Sequence, residues 1–198
     1  DVAVLDTGVM KTHLDLKNRV KDCKDFTKGS TPKDSCEDSN GHGTHVAGTI
    51  AADAGSDGQG IYGVAPQANI LAYKVLDSSG SGYSVDILAA IERATDPNQD
   101  GNYSDHLDII SMSLGCVSYG CNPDYISSLA VDNAVDNGII VVVSAGNSGH
   151  LGINTVGSPG NARKAISVGA IDKQKNVASF SSRGQVIWEN GTIAKPDI

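Results

Sequence analysis

Two short strings near the amino end of the chain carry residue types that can do acid–base chemistry. The string VAVLDTG ends an apolar run on Asp6, and the string NGHGTHVAG frames His42 with glycines. A buried aspartate at a strand end can accept the Nδ1 proton of a histidine, fix its tautomer and stabilise the imidazolium that forms when the ring takes a proton from a nucleophile. Because Gly41 and Gly43 place no side chains beside the ring, we expect them to let a substrate backbone approach it.

A third polar side chain follows a later apolar run. The string GIIVVVSA, residues 138–145, ends two positions before Asn147. An asparagine amide in a glycine-flanked loop can donate a hydrogen bond to a developing oxyanion. Taken singly, Asp6 could be a turn former and His42 a capped surface residue. Because Asp6, His42 and Asn147 stand at the ends of predicted elements, they could converge on one edge of a sheet.

The elements that must position these side chains alternate in the order of parallel βαβ units. Continuous apolar runs are typical of strands covered on both faces, and the predicted strands are 2–5, 70–75, 109–113, 139–143 and 166–168. Apolar residues spaced i, i+3, i+4 predict helices at 42–52, 85–94 and 125–137. Residues 22–40 read as a polar loop. The sequence therefore predicts an α/β fold with a doubly wound, mostly parallel sheet, helices on both faces, and ligands at the carboxyl ends of the strands.

Composition excludes several classes of protein. The 198 residues are 39% hydrophobic and 19% charged, which is enough to bury the core of one domain. The net charge of -8 argues against nucleic-acid binding, since phosphate contacts need clustered Lys and Arg. No apolar stretch reaches the roughly 18 residues of a membrane span. The acidic balance fits a secreted protein with sites for hard cations, and equally a merely soluble acidic protein.

The four cysteines fall into two local pairs, Cys23 with Cys36 and Cys116 with Cys121. Neither pair has the CxxC spacing of metal or redox sites, so two short-loop disulfides are predicted, with free thiols as the alternative. Each disulfide would contribute roughly 2 to 3 kcal/mol. Persistent disulfides indicate an oxidising compartment, which predicts a secreted or extracellular protein.

Five strings occur in one order that resembles the subtilisin-like serine proteases, the subtilase family. They are VAVLDTG, NGHGTHVAG, GVAP, SMSLG and VVVSAGN, and the resemblance covers nearly the whole chain. The resemblance implies a hydrolase, a serine endopeptidase that cleaves polypeptides through Ser-His-Asp acyl-enzyme chemistry. It assigns Asp6 as the triad aspartate, His42 as the general base and Asn147 as the side-chain oxyanion donor.

The resemblance also implies a groove for a peptide. One edge segment would pair with the substrate as an added strand, a second segment would form the opposite wall, and a third the floor of the pocket for the residue before the scissile bond. These residues are Gly80, Ser81, Gly82, Ser113, Leu114, Gly115, Ala145 and Gly146. Small residues leave room in this pocket, and the lack of a fixed charge predicts tolerance of bulky apolar or aromatic side chains rather than strict selection for Lys or Arg. Cys116 stands where the family commonly has a second glycine, so a disulfide there would reshape the rim.

Two loops are candidates for structural Ca²⁺. Residues 96–102 follow the opening pattern of an EF-hand loop, but the twelfth position is Leu107 rather than a glutamate, so later residues or water would complete the site. Its predicted ligands are Asp96, Asn98, Asp100, Asn102, Asp105 and Asp108. A second site would use Asp15 with oxygens of the loop 55–61, above all Asp57. This loop matches the family's calcium loop in place but not closely in sequence. The alternative is acidic surface loops without metal.

The family's serine nucleophile lies in a GTSMA-like string, and no such string occurs in the chain. We therefore expect residues 1–198 to be a partial peptidase domain, truncated at both ends and inactive alone. The alternative function is a pseudoprotease or peptide-binding module without a nucleophile. The expected partners are polypeptide substrates and the protein's own propeptide, with no nucleic acid and no membrane span.

Overall fold

The chain folds into two units, residues 1–111 and 112–198. Each contains parallel strands with helices packed against them. The computed structural model describes residues 1–29, 31–55, 58–116 and 120–198. Within these residues, no helix has the length and apolarity needed to cross a bilayer.

Three parallel strands pair side by side in the first unit. They are β1 (Val2–Asp6), β2 (Val20–Asp25) and β3 (Ile70–Lys74), with β3 in the middle. Every residue of β1 is buried, which explains its continuous apolar sequence. The pairing of β1 with β3 ends with Asp6 opposite Lys74, so the predicted acid stands at the carboxyl end of a buried strand. β4 (Ile109–Met112) begins in this unit.

Two helices of the first unit contact β1. They are α1 (His42–Ala51) and α2 (Ser84–Thr95). The buried residues of α1 are all small, namely Gly43, Ala47, Gly48 and Ala51, so this helix can lie close to the strand. Ala47 and Ala51 join Val2, Val4 and Ile70 in the hydrophobic core.

The second unit contains a helix, a parallel pair of strands and a hairpin. They are α3 (Ile126–Asp136), β5 (Ile140–Ser144), β6 (Ile166–Val168), β7 (Val186–Trp188) and β8 (Gly191–Ile193). β5 pairs with β6 in parallel, and β7 pairs with β8 in antiparallel fashion. Val186 and Ile193 of the hairpin pack with Ala145 and Val156, so the residue that follows β5 is buried at 2% exposure.

The five predicted strands and three predicted helices are confirmed to within two residues at each end. The predicted loop at 22–40 is wrong over its first four residues, which belong to β2. This strand reads VKDCKD and pairs with β3. It is mostly half-buried, so it carries charged residues that hide the apolar pattern of a strand. The β7–β8 hairpin was also not predicted. Both predicted disulfides, Cys23–Cys36 and Cys116–Cys121, are present, and the free-thiol alternative is wrong.

Candidate active site

Asp6 and His42 are in direct contact in the first unit. Asp6 is the last residue of β1 and His42 the first of α1, and Asp6 Oδ1 lies 2.7 Å from His42 Nδ1. The backbone N–H of Thr7 donates to the same oxygen at 2.7 Å, which orients the carboxylate. Because Nδ1–H of a neutral imidazole donates to this oxygen, Nε2 is left unprotonated and able to act as a base.

Burial differs sharply between the two partners. The Asp6 side chain is 1% exposed, whereas the His42 side chain is 50% exposed. The other carboxylate oxygen of Asp6, Oδ2, is buried without a hydrogen-bond partner among the described residues. A buried carboxylate attracts a cation more strongly than one in water, since the surroundings screen the charge less. The arrangement therefore stabilises an imidazolium while leaving the ring accessible from solvent.

Gly43 sets how closely α1 approaches the end of β1. A Cβ at this position would lie 2.1 Å from the carbonyl oxygen of Gly8 and 3.1 Å from Cβ of Asp6. The expectation that Gly43 opens space for a substrate is therefore wrong, because its bare side faces the strand end. Gly41 has a φ of 97° and open space around its missing Cβ, and it supplies the left-handed backbone from which the helix starts.

Asn147 lies in the second unit, in the turn that follows β5. Its side chain is exposed, while the residues on either side are anchored. The N–H of Ser182 donates to the carbonyl of Gly146 at 2.9 Å, and the Ser182 hydroxyl accepts from the N–H of Ser148 at 3.0 Å. Ala145 donates its N–H to Val168 of the neighbouring strand at 2.8 Å. A firmly held turn thus presents the Asn147 amide to solvent.

The predicted substrate edge, residues 80–82, is exposed and follows β3 through a turn built on Asp77. Both backbone groups of Ser81 are bound to this residue. The Ser81 carbonyl accepts from the N–H of Asp77 at 2.7 Å, and the Ser81 N–H donates to the Asp77 carboxylate at 3.1 Å. Bonds donated by the Ser79 hydroxyl and by the N–H groups of Ser81 and Ser79 lower the pKa of the Asp77 carboxyl. The N–H of Gly80 also donates to the Asp77 carbonyl, at 3.0 Å, so an added strand would have to pair with the Gly80 carbonyl and with Gly82.

The predicted opposite wall, residues 113–115, follows β4 without regular secondary structure. Cys116, the residue after this wall, is joined to Cys121 by a disulfide, and both cysteines form backbone hydrogen bonds. The N–H of Cys116 donates to the carbonyl of Ser158 at 2.8 Å, and the Asn161 amide donates to the carbonyl of Cys121 at 2.8 Å. Both Ser158 and Asn161 are 1% exposed. No pattern in the sequence predicts this buried polar support.

Four of the predicted calcium ligands lie in one surface turn of the first unit. The Asp96 carboxylate accepts from the N–H of Gly101 at 2.9 Å, and Asn98 Oδ1 accepts from that of Asp100 at 2.8 Å. Asp100 in turn accepts from the N–H of Asn102 at 2.8 Å. The two remaining residues are placed differently: Asp105 ends a 3₁₀ turn, and Asp108 lies 2.6 Å from the α-amino nitrogen of Asp1.

Asp15, the centre of the second predicted calcium site, is 9% exposed. Its carboxylate accepts from the N–H of Ile61 at 3.3 Å, and a Cβ on Gly60 would lie only 1.9 Å from Oδ1. Asp57 lies outside the described residues. Among the described residues no three or more His, Cys, Asp or Glu side chains are grouped to hold a metal. Calcium at either loop would therefore also need amide or carbonyl oxygens, which it accepts readily.

Comparison with known proteins decides the family. A sequence profile described as the Subtilase family matches residues 1–198. This chain belongs to the subtilase family. Subtilisin of Bacillus sp. strain TA39 is 44% identical over 200 residues, which cover 98% of the chain and 45% of that relative. Subtilisin DY of Bacillus licheniformis is 46% identical over 184 residues, or 92% and 60% of the two chains.

Solved structures agree with the sequence relatives of this subtilase. Sphericase superposes with a TM-score of 0.80 at 48% identity, covering 92% of the chain and 59% of its own. The predicted family and α/β fold are confirmed. The chain spans about half to three fifths of the length of these relatives.

Sequence reasoning found the dyad of this subtilase but missed the side chains that support it. Thr7, Asp38, Asn40 and Thr44 form hydrogen bonds around the start of α1. The available signal was a cluster of capping residue types, Asp-Ser-Asn, just before a predicted helix.

Proposed function

We propose that the protein to which this chain belongs is a serine endopeptidase acting on polypeptides. The observation that carries the proposal is the 2.7 Å contact between the buried Asp6 carboxylate and the half-exposed His42 ring in a chain of the subtilase family. In this proposal the nucleophilic serine is not among residues 1–198, because no serine of the chain stands in the family's string.

In the proposed reaction, His42 first accepts a proton and then donates it. Nε2 takes the serine hydroxyl proton as the Oγ–C bond forms, and returns it to the amine as the peptide C–N bond breaks. Water then attacks the acyl-enzyme with the same two proton transfers through His42, which releases the acid and restores the serine. Asp6 holds the Nδ1–H tautomer and stabilises the imidazolium throughout. Asn147 is assigned to donate to the oxyanion of each tetrahedral intermediate.

The substrate is proposed to bind as an extended peptide along residues 80–82. The bonds of Gly80 and Ser81 to Asp77 support this proposal, since they fix the segment and leave pairing to the Gly80 carbonyl and to Gly82. The small residues Ala145 and Gly146 favour a bulky apolar or aromatic side chain before the scissile bond. The two disulfides support export to an oxidising compartment, and a propeptide partner is proposed from the family resemblance.

Hydrolysis by the complete protein tests this function. We expect cleavage of an unfolded protein substrate, loss of cleavage in His42→Ala, and unchanged cleavage in His13→Ala, whose histidine is exposed in the same unit. The second candidate, a peptide-binding protein without a nucleophile, is favoured by the missing serine string. Peptide binding by the complete protein with no cleavage would establish that candidate instead.

Calcium is proposed as a structural ion of the 96–102 turn, held by Asp96, Asn98, Asp100 and Asn102. The clustering of these oxygens by local backbone bonds supports the site, and hard oxygen ligands suit this ion. Bound calcium would stabilise the folded state by mass action. A second ion is proposed at Asp15.

A chelation experiment tests the calcium proposal. We expect chelation to lower Tm in the wild type and to lower it less in an Asp96→Ala, Asp100→Ala double variant. Asp172→Ala is the matched control, because this exposed aspartate also accepts backbone N–H bonds within its own turn. An undiminished effect of chelation in the double variant would place the ion elsewhere.

A further inference from the structure

The helix that carries His42 begins without a capping side chain of its own. Its N-cap residue is Gly41, and the first backbone N–H groups of any helix lack partners within the helix. In this helix the first three N–H groups are all bound by side chains from outside it, at 2.9 to 3.2 Å. The three bonds join His42 to Asn40, Gly43 to Thr7, and Thr44 to Asp38.

The Asp38 carboxylate connects these supports to one another. Its Oδ1 accepts from the Thr7 hydroxyl at 2.9 Å and from the N–H groups of Gly41 and Asn40 at 2.8 and 3.1 Å. Its Oδ2 accepts from the N–H and the hydroxyl of Thr44 at 2.9 and 2.6 Å. Asp38 is only 9% exposed, so five donors converge on one buried carboxylate.

Thr7 extends this network to the acid of the dyad. Its N–H donates to Asp6 Oδ1, the oxygen that also contacts His42, while its hydroxyl donates to Asp38 and accepts from the N–H of Gly43. Asp38 is thus bound on one side to the turn that holds the Asp6 carboxylate. On the other side it is bound to the first turn of the helix that begins with His42.

We propose that Asp38 is a positioning residue for the Asp6–His42 pair. By holding the end of β1 and the start of α1 to one carboxylate, it sets the distance and orientation of the acid and the base. Asp38 contacts neither His42's ring nor a reacting atom, so it acts only through these two segments. Its effect on catalysis rests on the proposed endopeptidase function, whereas its effect on the geometry of the pair does not.

The chemistry of the network requires a carboxylate rather than an amide. All five partners are donors, and an ionised carboxylate accepts at both oxygens, whereas an asparagine would turn an NH₂ group toward some of them. Burial raises the pKa of Asp38, but bonds from the Thr44 hydroxyl, the N–H groups of Gly41 and Thr44, and the Thr7 hydroxyl bring it down to about 2. The Asp38 carboxylate is therefore charged at any pH near neutrality, where the enzyme would work.

The test compares Asp38→Asn with Asp34→Asn in the complete protein. Both changes remove one negative charge from the same loop, but Asp34 is 84% exposed and pairs with Lys24. We expect kcat for peptide hydrolysis to fall by about 10- to 100-fold in Asp38→Asn, the scale of a misplaced catalytic group, with KM changed less than about twofold. Asp34→Asn should keep both constants. Wild-type kcat in Asp38→Asn would overturn the proposal.

A second readout needs no activity. We expect an NMR signal from the Nδ1 proton of His42 in the wild type and in Asp34→Asn, and its loss to solvent exchange in Asp38→Asn. If Asp38→Asn does not fold, Thr7→Val takes its place, with Thr7→Ser as the conservative variant that should restore the signal. An unchanged signal in either disruptive variant contradicts the positioning role. A wild-type protein that shows the signal but cleaves nothing would instead refute the endopeptidase function alone.

Discussion

A methyl group added at Gly43 tests how closely the helix that carries His42 must approach the end of β1. In Gly43→Ala the new Cβ would lie 2.1 Å from the carbonyl oxygen of Gly8, whereas ordinary contacts begin at 3.4 Å. Both atoms belong to backbone or are fixed to it, so no side-chain rotation relieves the overlap. The start of α1 and the turn after β1 must separate by about 1 Å.

That displacement acts directly on the dyad. A shift of about 1 Å would stretch the 2.7 Å contact between Asp6 Oδ1 and His42 Nδ1 beyond good hydrogen-bond geometry. A misplacement of this size lowers the rate by about 100-fold, so we expect kcat/KM for peptide hydrolysis to fall by about that factor. The overlap should also lower the free energy of unfolding by about 1 to 3 kcal/mol, as overpacking does.

Gly48→Ala in the same helix is the matched control. A Cβ there meets no atom within 4 Å beyond the helix's own backbone, so only helix propensity changes. We expect Gly48→Ala to raise stability by up to about 1 kcal/mol and to leave kcat/KM unchanged. The assay pairs thermal unfolding with steady-state hydrolysis by the complete protein. Wild-type kcat/KM in a folded Gly43→Ala would show that the close approach of α1 to the end of β1 does not control catalysis.

Three further predictions concern other parts of the chain. Asn147→Ala should lower kcat by about 100- to 1,000-fold, the range measured for the oxyanion donor of this family, with little change in KM. Equal kcat values in the variant and the wild type would contradict the assignment of Asn147 as the oxyanion donor. Replacing Cys23 and Cys36 together by serine should lower the free energy of unfolding in denaturant by about 3 kcal/mol, since the disulfide closes a loop with a sequence separation of 13. The pKa of Asp38, about 2 against an ordinary 3.8, means that its ionised form stabilises the fold above pH 4 and that this stabilisation is lost as pH falls towards 2. Tm should therefore fall more steeply over that interval in the wild type than in Asp38→Asn, and parallel curves would contradict this.

The sequence was enough to predict the dyad because each member sits in a local pattern. Asp6 ends an apolar run, and His42 opens a stretch with helical spacing, so strand and helix bounds alone put both at element ends. By contrast, β2 carries alternating charges, and its strand character comes from pairing with β3 rather than from its own composition. Contacts between residues far apart in the sequence determine that pairing, so the composition of β2 does not reveal it.

The supports of the dyad were hidden for a related reason. The Thr7 hydroxyl and the Asp38 carboxylate meet across 31 positions, and single polar residues in loops have no periodicity that reveals such a contact. Gly43 was misread because a sequence does not say which way a missing Cβ points. Only coordinates show that it faces Gly8 and Asp6 rather than open space.

Labelling of the complete protein by a fluorophosphonate is the sharpest test of His42 as the base of a serine endopeptidase, because this reagent reacts with a serine only when a base activates it. We predict covalent labelling of one serine in the wild type, identified by mass spectrometry, and a rate of labelling reduced at least about 100-fold in His42→Ala. His13→Ala should be labelled at the wild-type rate. Labelling that proceeds equally fast without His42, or no labelling of the wild type at all, would contradict the assignment of His42 as the base of a serine endopeptidase.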